Sequence, residues 1–256
     1  MSSSPDKPAI EIERLNVFYG HFHAIRNVSM SIAPRRITAL IGPSGCGKST
    51  LLRCLNRMND LIPGCKISGK ALIEGADIYA RDADVCALRK KVGMVFQRPN
   101  PFPLSVRDNV SFGLKVEGGR GGEDVEDKVE KSLAAVGLWD TLKDRLDAPA
   151  LDLPLDQQQR LCLARVLAVE PDIILMDEPC SALDPIATGV VEDLMSDLKN
   201  RYTIVIVTHN MQQASRVSDV SAYMLLGEMI EIGPTAALFS APRDKRTEDY
   251  ITGRYG

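Results

Sequence analysis

The sequence predicts an α/β fold: an antiparallel β-lobe at the N-terminal end, a largely parallel sheet covered on both faces, and a helical lobe inserted between the halves of that core. Three observations predict it. Short, nearly continuous apolar runs at 37–41, 92–96, 173–176 and 203–207 suit strands buried on both faces. Helical periodicity alternates with them at 51–55, 157–169 and 186–200, as crossover helices require. The first run feeds directly into a glycine-rich turn, Gly42-Pro43-Ser44-Gly45-Cys46-Gly47-Lys48-Ser49-Thr50.

Taken in order, 1–8 has no apolar core and reads as a frayed tail rather than a signal peptide. Residues 9–15 and 24–32 are β-rich and open the first lobe, and 69–73 adds a further strand. Pro99, Pro101 and Pro103 exclude regular structure from 98–104. Helical character follows from 106 to about 146, interrupted by Gly118-Gly119-Arg120-Gly121-Gly122, a flexible connection. The run 222–232, with Gly227-Glu228 at its centre, reads as a β-hairpin, and short helices close the chain. The expected division is 1–97 for the β-lobe and first half of the core, 98–156 for the helical lobe, and 157–256 for the second half.

Composition narrows the function classes. At 256 residues, 45% hydrophobic and 25% charged, the chain has the make-up of a soluble globular protein with a substantial core. A net charge of −3 argues against bulk attraction to nucleic acid, and no run is long and apolar enough to span a bilayer. The six cysteines are scattered without a C-x-x-C pair, so neither zinc nor a disulfide framework is expected. Cys46 lies inside the glycine-rich turn, where a thiol reagent would block a ligand unless the residue is there only because it is small.

That turn has the spacing G-x-x-x-x-G-K-[ST] in the strand-then-helix setting that makes it a phosphate-binding loop. Gly42, Gly45 and Gly47 let the backbone curl its N–H groups around a phosphate chain. Lys48 supplies a cation for the terminal phosphates, Ser49 a hydroxyl for Mg²⁺, and the following helix the positive end of its dipole. The chain is therefore expected to bind a nucleoside triphosphate on a P-loop NTPase core. Asp177 and Glu178 emerge at the end of 173–176, where ligands collect in open α/β sheets. Asp177 suits Mg²⁺ and Glu178 an attacking water, against the plainer possibility that both cap a strand exit. His209 and Gln97 also stand at strand ends, as candidate γ-phosphate sensor and as contact for metal and water; a satisfied bystander and a polar terminus are the alternatives. Tyr19 offers a face for the base, or fills the core.

Together these motifs resemble the ATPase subunit of ATP-binding-cassette transporters over nearly the whole chain. The resemblance implies the roles of base-stacker for Tyr19, glutamine loop for Gln97, switch histidine for His209, and a turn at Ser181-Ala182-Leu183-Asp184. Four runs look like the phosphate-importer branch: Arg98-Pro99-Asn100-Pro101-Phe102-Pro103, 176–185, Thr208-His209-Asn210-Met211-Gln212-Gln213-Ala214, and 247–256. It further implies ATP and Mg²⁺ as cofactors, transmembrane permease subunits as partners, a homodimer or a paired cassette subunit, peripheral attachment at the cytoplasmic face, and no nucleic acid.

The family signature, Leu-Ser-Gly-Gly-Gln, is degenerate in this chain, which reads Leu153-Pro154-Leu155-Asp156-Gln157. Pro154 lacks the hydroxyl and an N–H, Leu155 adds bulk, and Asp156 brings negative charge toward a partner's phosphate. Two such charges about 4 Å apart repel by roughly 4 kcal/mol at an effective dielectric of about 20. Asp156 also suits the N-cap of the helix expected from 157. Three readings follow: a slow homodimeric importer ATPase, an asymmetric partner of another cassette subunit, or a hydrolysis-poor regulatory module.

Overall fold

In the computed structural model, which describes residues 7–116 and 123–254, alternating apolar side chains build a β-hairpin first, β1 (Ile10–Tyr19) and β2 (Phe22–Ile32). β3 (Ile37–Ile41) and α1 (Lys48–Cys54) follow. β4 (Cys65–Ile73) returns to pair antiparallel with β1, and the short β5 (Ala76–Asp77) completes a sheet ordered β2-β1-β4-β5. β1 starts one residue after the expected 9–15 stretch and runs four further, and β4 begins before Gly69. The cause is a paired irregularity. Arg14 (φ 47°) breaks the alternation of β1, and Gly69 (φ 95°) gives way opposite it, since a Cβ at 69 would stand 2.3 Å from the Arg14 carbonyl oxygen.

α2 (Val85–Lys91) leads into β6 (Val92–Val95). The helical stretch comprises α3 (Val106–Val116), α4 (Glu123–Ala135) and α5 (Trp139–Leu142), then α6 (Leu155–Ala168). The expected Gly118–Gly122 connection lies outside the described residues, as do residues 1–6 of the tail. The proline-rich 98–104 stretch is without helix or strand, and Ser105 bridges to Pro149 just beyond it. The chain finishes with β7 (Ile173–Asp177), α7 (Pro185–Leu198), β8 (Thr203–Val207), α8 (Met211–Val217), the hairpin β9 (Val220–Leu225) and β10 (Glu228–Pro234), α9 (Thr235–Ser240) and α10 (Lys245–Ile251).

The second sheet runs β10-β9-β3-β8-β7-β6, parallel throughout except for β10. Every residue of β3, β7 and β8 is buried, the condition for a parallel sheet covered on both sides. Alternation divides these strands between two cores. Ala39, Ile41, Ile174, Met176, Ile204 and Ile206 pack toward the helices, whereas Leu40, Ile173, Leu175, Val205 and Val207 pack toward the first sheet and α1. At the far end of the chain, α10 lays Tyr250 against Tyr223 of β9, with ring centroids 4.9 Å apart; Tyr223 stands in register with Ile41.

One expectation is corrected at α6. The helix begins at Leu155, not 157, and the residue at its N-cap position is Pro154, with no side-chain cap. Asp156 therefore lies inside the first turn, where its carboxylate pairs with Arg160 at 3.0 Å. Gln158 closes the entry instead, its Nε2 donating to the carbonyls of Leu151 (3.1 Å) and Leu153 (2.8 Å).

α6 packs close on the sheet through Gly93 of β6, where a Cβ would stand 2.4 Å from Val166 Cγ1. Gly93→Ala is expected to lower unfolding stability by about 1–3 kcal/mol through overpacking. Urea denaturation of Gly93→Ala/Val166→Ala should recover part of that loss; a double variant no more stable than Gly93→Ala would show that this contact does not set the helix–sheet spacing.

Candidate active site

Parallel register delivers four strand ends to one edge of the sheet. Leu40 of β3 is level with Val207 of β8, Val207 with Asp177 of β7, and Met176 with Val95 of β6. The residues that follow, Gly42, His209, Glu178 and Gln97, are therefore neighbours in space though far apart in sequence.

The chain leaves β3 through Gly42 (φ 146°), whose missing Cβ would stand 2.2 Å from the Met224 carbonyl oxygen. Gly47 (φ 106°) is equally obligatory, facing Ile25 Cδ1 at 2.7 Å. The loop curls around Lys48, which is 5% exposed and donates to the carbonyls of Gly42 and Pro43, both at 2.8 Å. Lys48 has no carboxylate partner among the described residues. A buried ammonium held by neutral carbonyls and a thiol sulfur is electrostatically unfinished, and an anion such as a phosphate would complete it. Ser44, Ser49 and Thr50 line a cavity of about 220 Å³ with Lys48, Tyr19 and Glu178. Gly45 borders it too, while Cys46 is buried behind the loop.

Asp177 is buried at the end of β7 and faces α1. Its Oδ1 accepts from Ser49 Oγ at 2.6 Å, and its Oδ2 pairs with Arg53 at 3.0 Å. A hydroxyl in contact with a carboxylate is a hard-oxygen pair of the kind Mg²⁺ takes, with phosphates and waters supplying the rest of its shell. No cluster of three or more His, Cys, Asp or Glu that would hold a metal exists among the described residues. The Ser49–Asp177 pair fits a Mg²⁺ that would arrive with a nucleotide.

Glu178 turns the opposite way. Its backbone is left-handed (φ 48°), a conformation costing a non-glycine residue about 1–3 kcal/mol, and its N–H is tied to the Val207 carbonyl at 2.9 Å. Its Oε2 accepts from Gln97 Nε2 at 2.9 Å and lies 3.1 Å from His209 Nδ1. Strain kept at this residue aims one carboxylate oxygen where the ends of β6, β7 and β8 converge.

Tyr19 stands on the cavity wall with its hydroxyl donating to Asn59 Oδ1 at 2.9 Å, and Asn59 in turn donates to the Thr50 carbonyl at 2.9 Å. Sequence reasoning missed Phe22, which is 64% exposed on the same cavity and pairs with Tyr19 across the β1–β2 turn. Two aromatics flanking a two-residue turn were the available signal. Arg53 was also missed; one helical turn after Ser49, its spacing put both on one face of α1. Leu153–Gln157 does not line this cavity. Asp184 of the 181–184 turn caps α7, accepting from the N–H groups of Ile186 (2.8 Å) and Ala187 (2.9 Å).

A larger cavity, about 660 Å³, opens at the opposite end of the sheet among Lys7, Arg35, Asp172 and Arg201. These are exposed side chains of mixed sign, a solvated surface rather than a catalytic pocket. Another, about 650 Å³, lies between α7 and α8 and shares Glu178 and His209 with the site.

Residues 25–181 match the family described as ABC transporter. Among solved structures the chain is similar to cbiO1 from Clostridium perfringens, part of the ABC transporter complex cbiONQ, with 28% identity, a TM-score of 0.80 and 97% of each chain covered. It is also similar to a bacterial Atm1-family ABC exporter with ATP bound, with 22% identity and a TM-score of 0.81. That match covers all of this chain but 43% of the exporter, and it speaks for the fold alone.

The site's thiols are protected. Burial pushes the Cys46 thiol up, although Lys48 opposes the shift, and burial raises Cys180 to about 11 and Cys54 to about 12. A raised thiol holds less of the thiolate, which is the nucleophilic form. Mass-spectrometric mapping of iodoacetamide labelling should find exposed Cys86 modified at least about tenfold faster than Cys46 or Cys180. Equal rates at Cys86 and Cys46 would mean that the loop opens readily.

Proposed function

The chain belongs to the ABC transporter family, whose ATPase domains use ATP with Mg²⁺, and from that premise we propose that it is the ATP-hydrolysing subunit of a membrane importer carrying inorganic phosphate. No helix among the described residues is long and apolar enough to cross a membrane. In this reading transmembrane permease subunits are the partners, and this chain is attached peripherally at the cytoplasmic face. The likeness to a subunit of a transporter complex supports that arrangement. The four sequence runs that resemble the phosphate-importer branch support the cargo.

The observation that carries the hydrolytic reading is the meeting of Gln97, Glu178 and His209 at one carboxylate oxygen, beside a loop holding Lys48. In this mechanism Tyr19 stacks on the base. The backbone N–H groups of 44–50 and the Lys48 ammonium take the phosphates, with Lys48 exchanging neutral carbonyl partners for charged ones. Ser49, Asp177 and Gln97 would hold Mg²⁺, which supplies charge neutralisation across the phosphates. Glu178 orients and polarises a water toward the γ-phosphate, its carboxylate steered by Gln97 and His209; His209 is then placed to register loss of the phosphate. The working division remains 1–97, 98–156 and 157–256, with α6 crossing the last boundary.

A second reading, pairing with a different cassette subunit whose signature is intact, is favoured by the segment at the start of α6. Pro154 offers neither hydroxyl nor N–H there, and Leu155 is exposed. The Arg160 partner offsets part of the charge of Asp156, so repulsion is milder than an isolated carboxylate would give. A regulatory module with negligible hydrolysis fits less well, because it leaves the strained Glu178 without a purpose.

Glu178→Gln should bind MgATP in calorimetry yet lose roughly 10²-fold or more of its turnover; retained hydrolysis would remove Glu178 from its role. In proteoliposomes with the cognate permease, wild type should drive ATP-dependent uptake of radiolabelled phosphate. Uptake of another anion in its place would overturn the cargo and leave the ATPase intact. Replacing Pro154 with Ser, and Leu155 and Asp156 with Gly, should strengthen ATP-driven dimerisation and raise turnover. Unchanged values in light scattering and ATPase assays would show that this segment is not limiting.

A further inference from the structure

Gln159 is 2% exposed, on the second turn of α6. Its Nε2 donates to two backbone carbonyls, Phe96 at 3.1 Å and Pro179 at 3.0 Å. Phe96 immediately precedes Gln97, and Pro179 immediately follows Glu178. One buried amide thus holds together the carbonyls of the residues next to the two side chains that meet at 2.9 Å in the site.

The orientation of that amide is dictated by chemistry. Carbonyl oxygens only accept, so the nitrogen must face them, and both of its N–H groups are used. Oε1 is buried and has no hydrogen-bond partner among the described residues. Gln159 also borders a small apolar niche with Val95, Leu163, Met176 and Val191. A leucine or methionine would suit that niche and avoid the orphaned acceptor, whose burial is unfavourable. Neither would supply two donors in one plane. The next residue ties α6 in another direction: Arg160 donates to the carbonyl of Gly137 at 3.1 Å and pairs with Asp156.

We propose that Gln159 is a positioning residue for hydrolysis. It sets the Gln97–Glu178 contact by joining the carbonyl of the residue before Gln97 to the carbonyl of the residue after Glu178, and so couples α6, with Leu155 and Asp156 in its first turn, to the hydrolytic carboxylate. A shift of α6 when its start meets a partner is carried to both strand ends at once, because the two carbonyls share one nitrogen. This rests on the reading of Glu178 given above.

The test is Gln159→Met, similar in length but without donors, assayed for MgATP hydrolysis alone and combined with Gln97→Ala. The expected result is a kcat lower by about tenfold to a hundredfold with KM for MgATP within about twofold, since nucleotide binding is left alone and only the geometry of attack is disturbed. The double variant should be no slower than Gln97→Ala, because both changes act on one contact. Fold losses that multiply in the double variant, or a rise in KM with kcat unchanged, would overturn the proposal. If Gln159→Met does not fold, Gln159→Glu takes its place. An ionised carboxylate offers the carbonyls no donor, so its activity should be low at pH 8 and recover relative to wild type as the pH falls; wild-type behaviour at pH 8 would sink the idea. A Glu178→Gln protein that still turns over refutes the underlying reading. A dead Glu178→Gln protein together with multiplicative losses refutes only the role of Gln159.

Discussion

The site depends on the lateral register of β6, β7, β8 and β3. These strands are held by burial on both faces, and their shared level places Gly42, Gln97, Asp177, Glu178 and His209 along one edge. The alternation of side chains then sorts the two adjacent carboxylates. Asp177 continues the Ile173–Leu175 face, toward α1, and meets Ser49 and Arg53. Glu178, with its backbone in the left-handed region, turns to Gln97 and His209. Consecutive residues thereby serve different partners. A slip of one position in β7 would exchange their directions and dissolve both arrangements.

Much of this was legible in the sequence because it is local. Uninterrupted apolar runs mark strands buried on both sides, the glycine spacing marks the loop after β3, and polar residues just past each run mark the strand ends. What was hidden depends on contacts between distant segments. The bulge at Arg14 and its answer at Gly69 arise only once β1 and β4 pair, so the alternation there reads as broken. Asp156 has a good capping composition, but Pro154 holds the cap position and Arg160 offers a charge one turn on, so the carboxylate turns along the helix. Gln159 is indistinguishable from its neighbours Gln157 and Gln158 until the fold decides which of the three faces inward.

The polar groups of the site are mostly engaged before any ligand arrives, and the quality of each engagement differs. Lys48 is satisfied by carbonyl dipoles, weak partners for an ammonium. Asp177 already has a charged guanidinium and a short hydroxyl contact. The cation is therefore poised for a stronger anion, whereas the carboxylate is held rigidly where it stands. Pre-set donors and fixed dipoles need little reorganisation on binding, which is how phosphoryl-transfer sites draw rate from electrostatics.

The pairing of Tyr250 with Tyr223 has a reach beyond local packing. Burial raises the Tyr250 phenol above its usual range, and the Gly42 backbone opposes that shift from the first residue of the loop. Helix α10 is thus a buttress under the loop that follows β3, seated by Tyr250 on Tyr223, by buried Thr247 and by Ile251 on the core. A force applied to this helix would load the hinge of the loop at Gly42, although the helix lines no part of the cavity around Lys48.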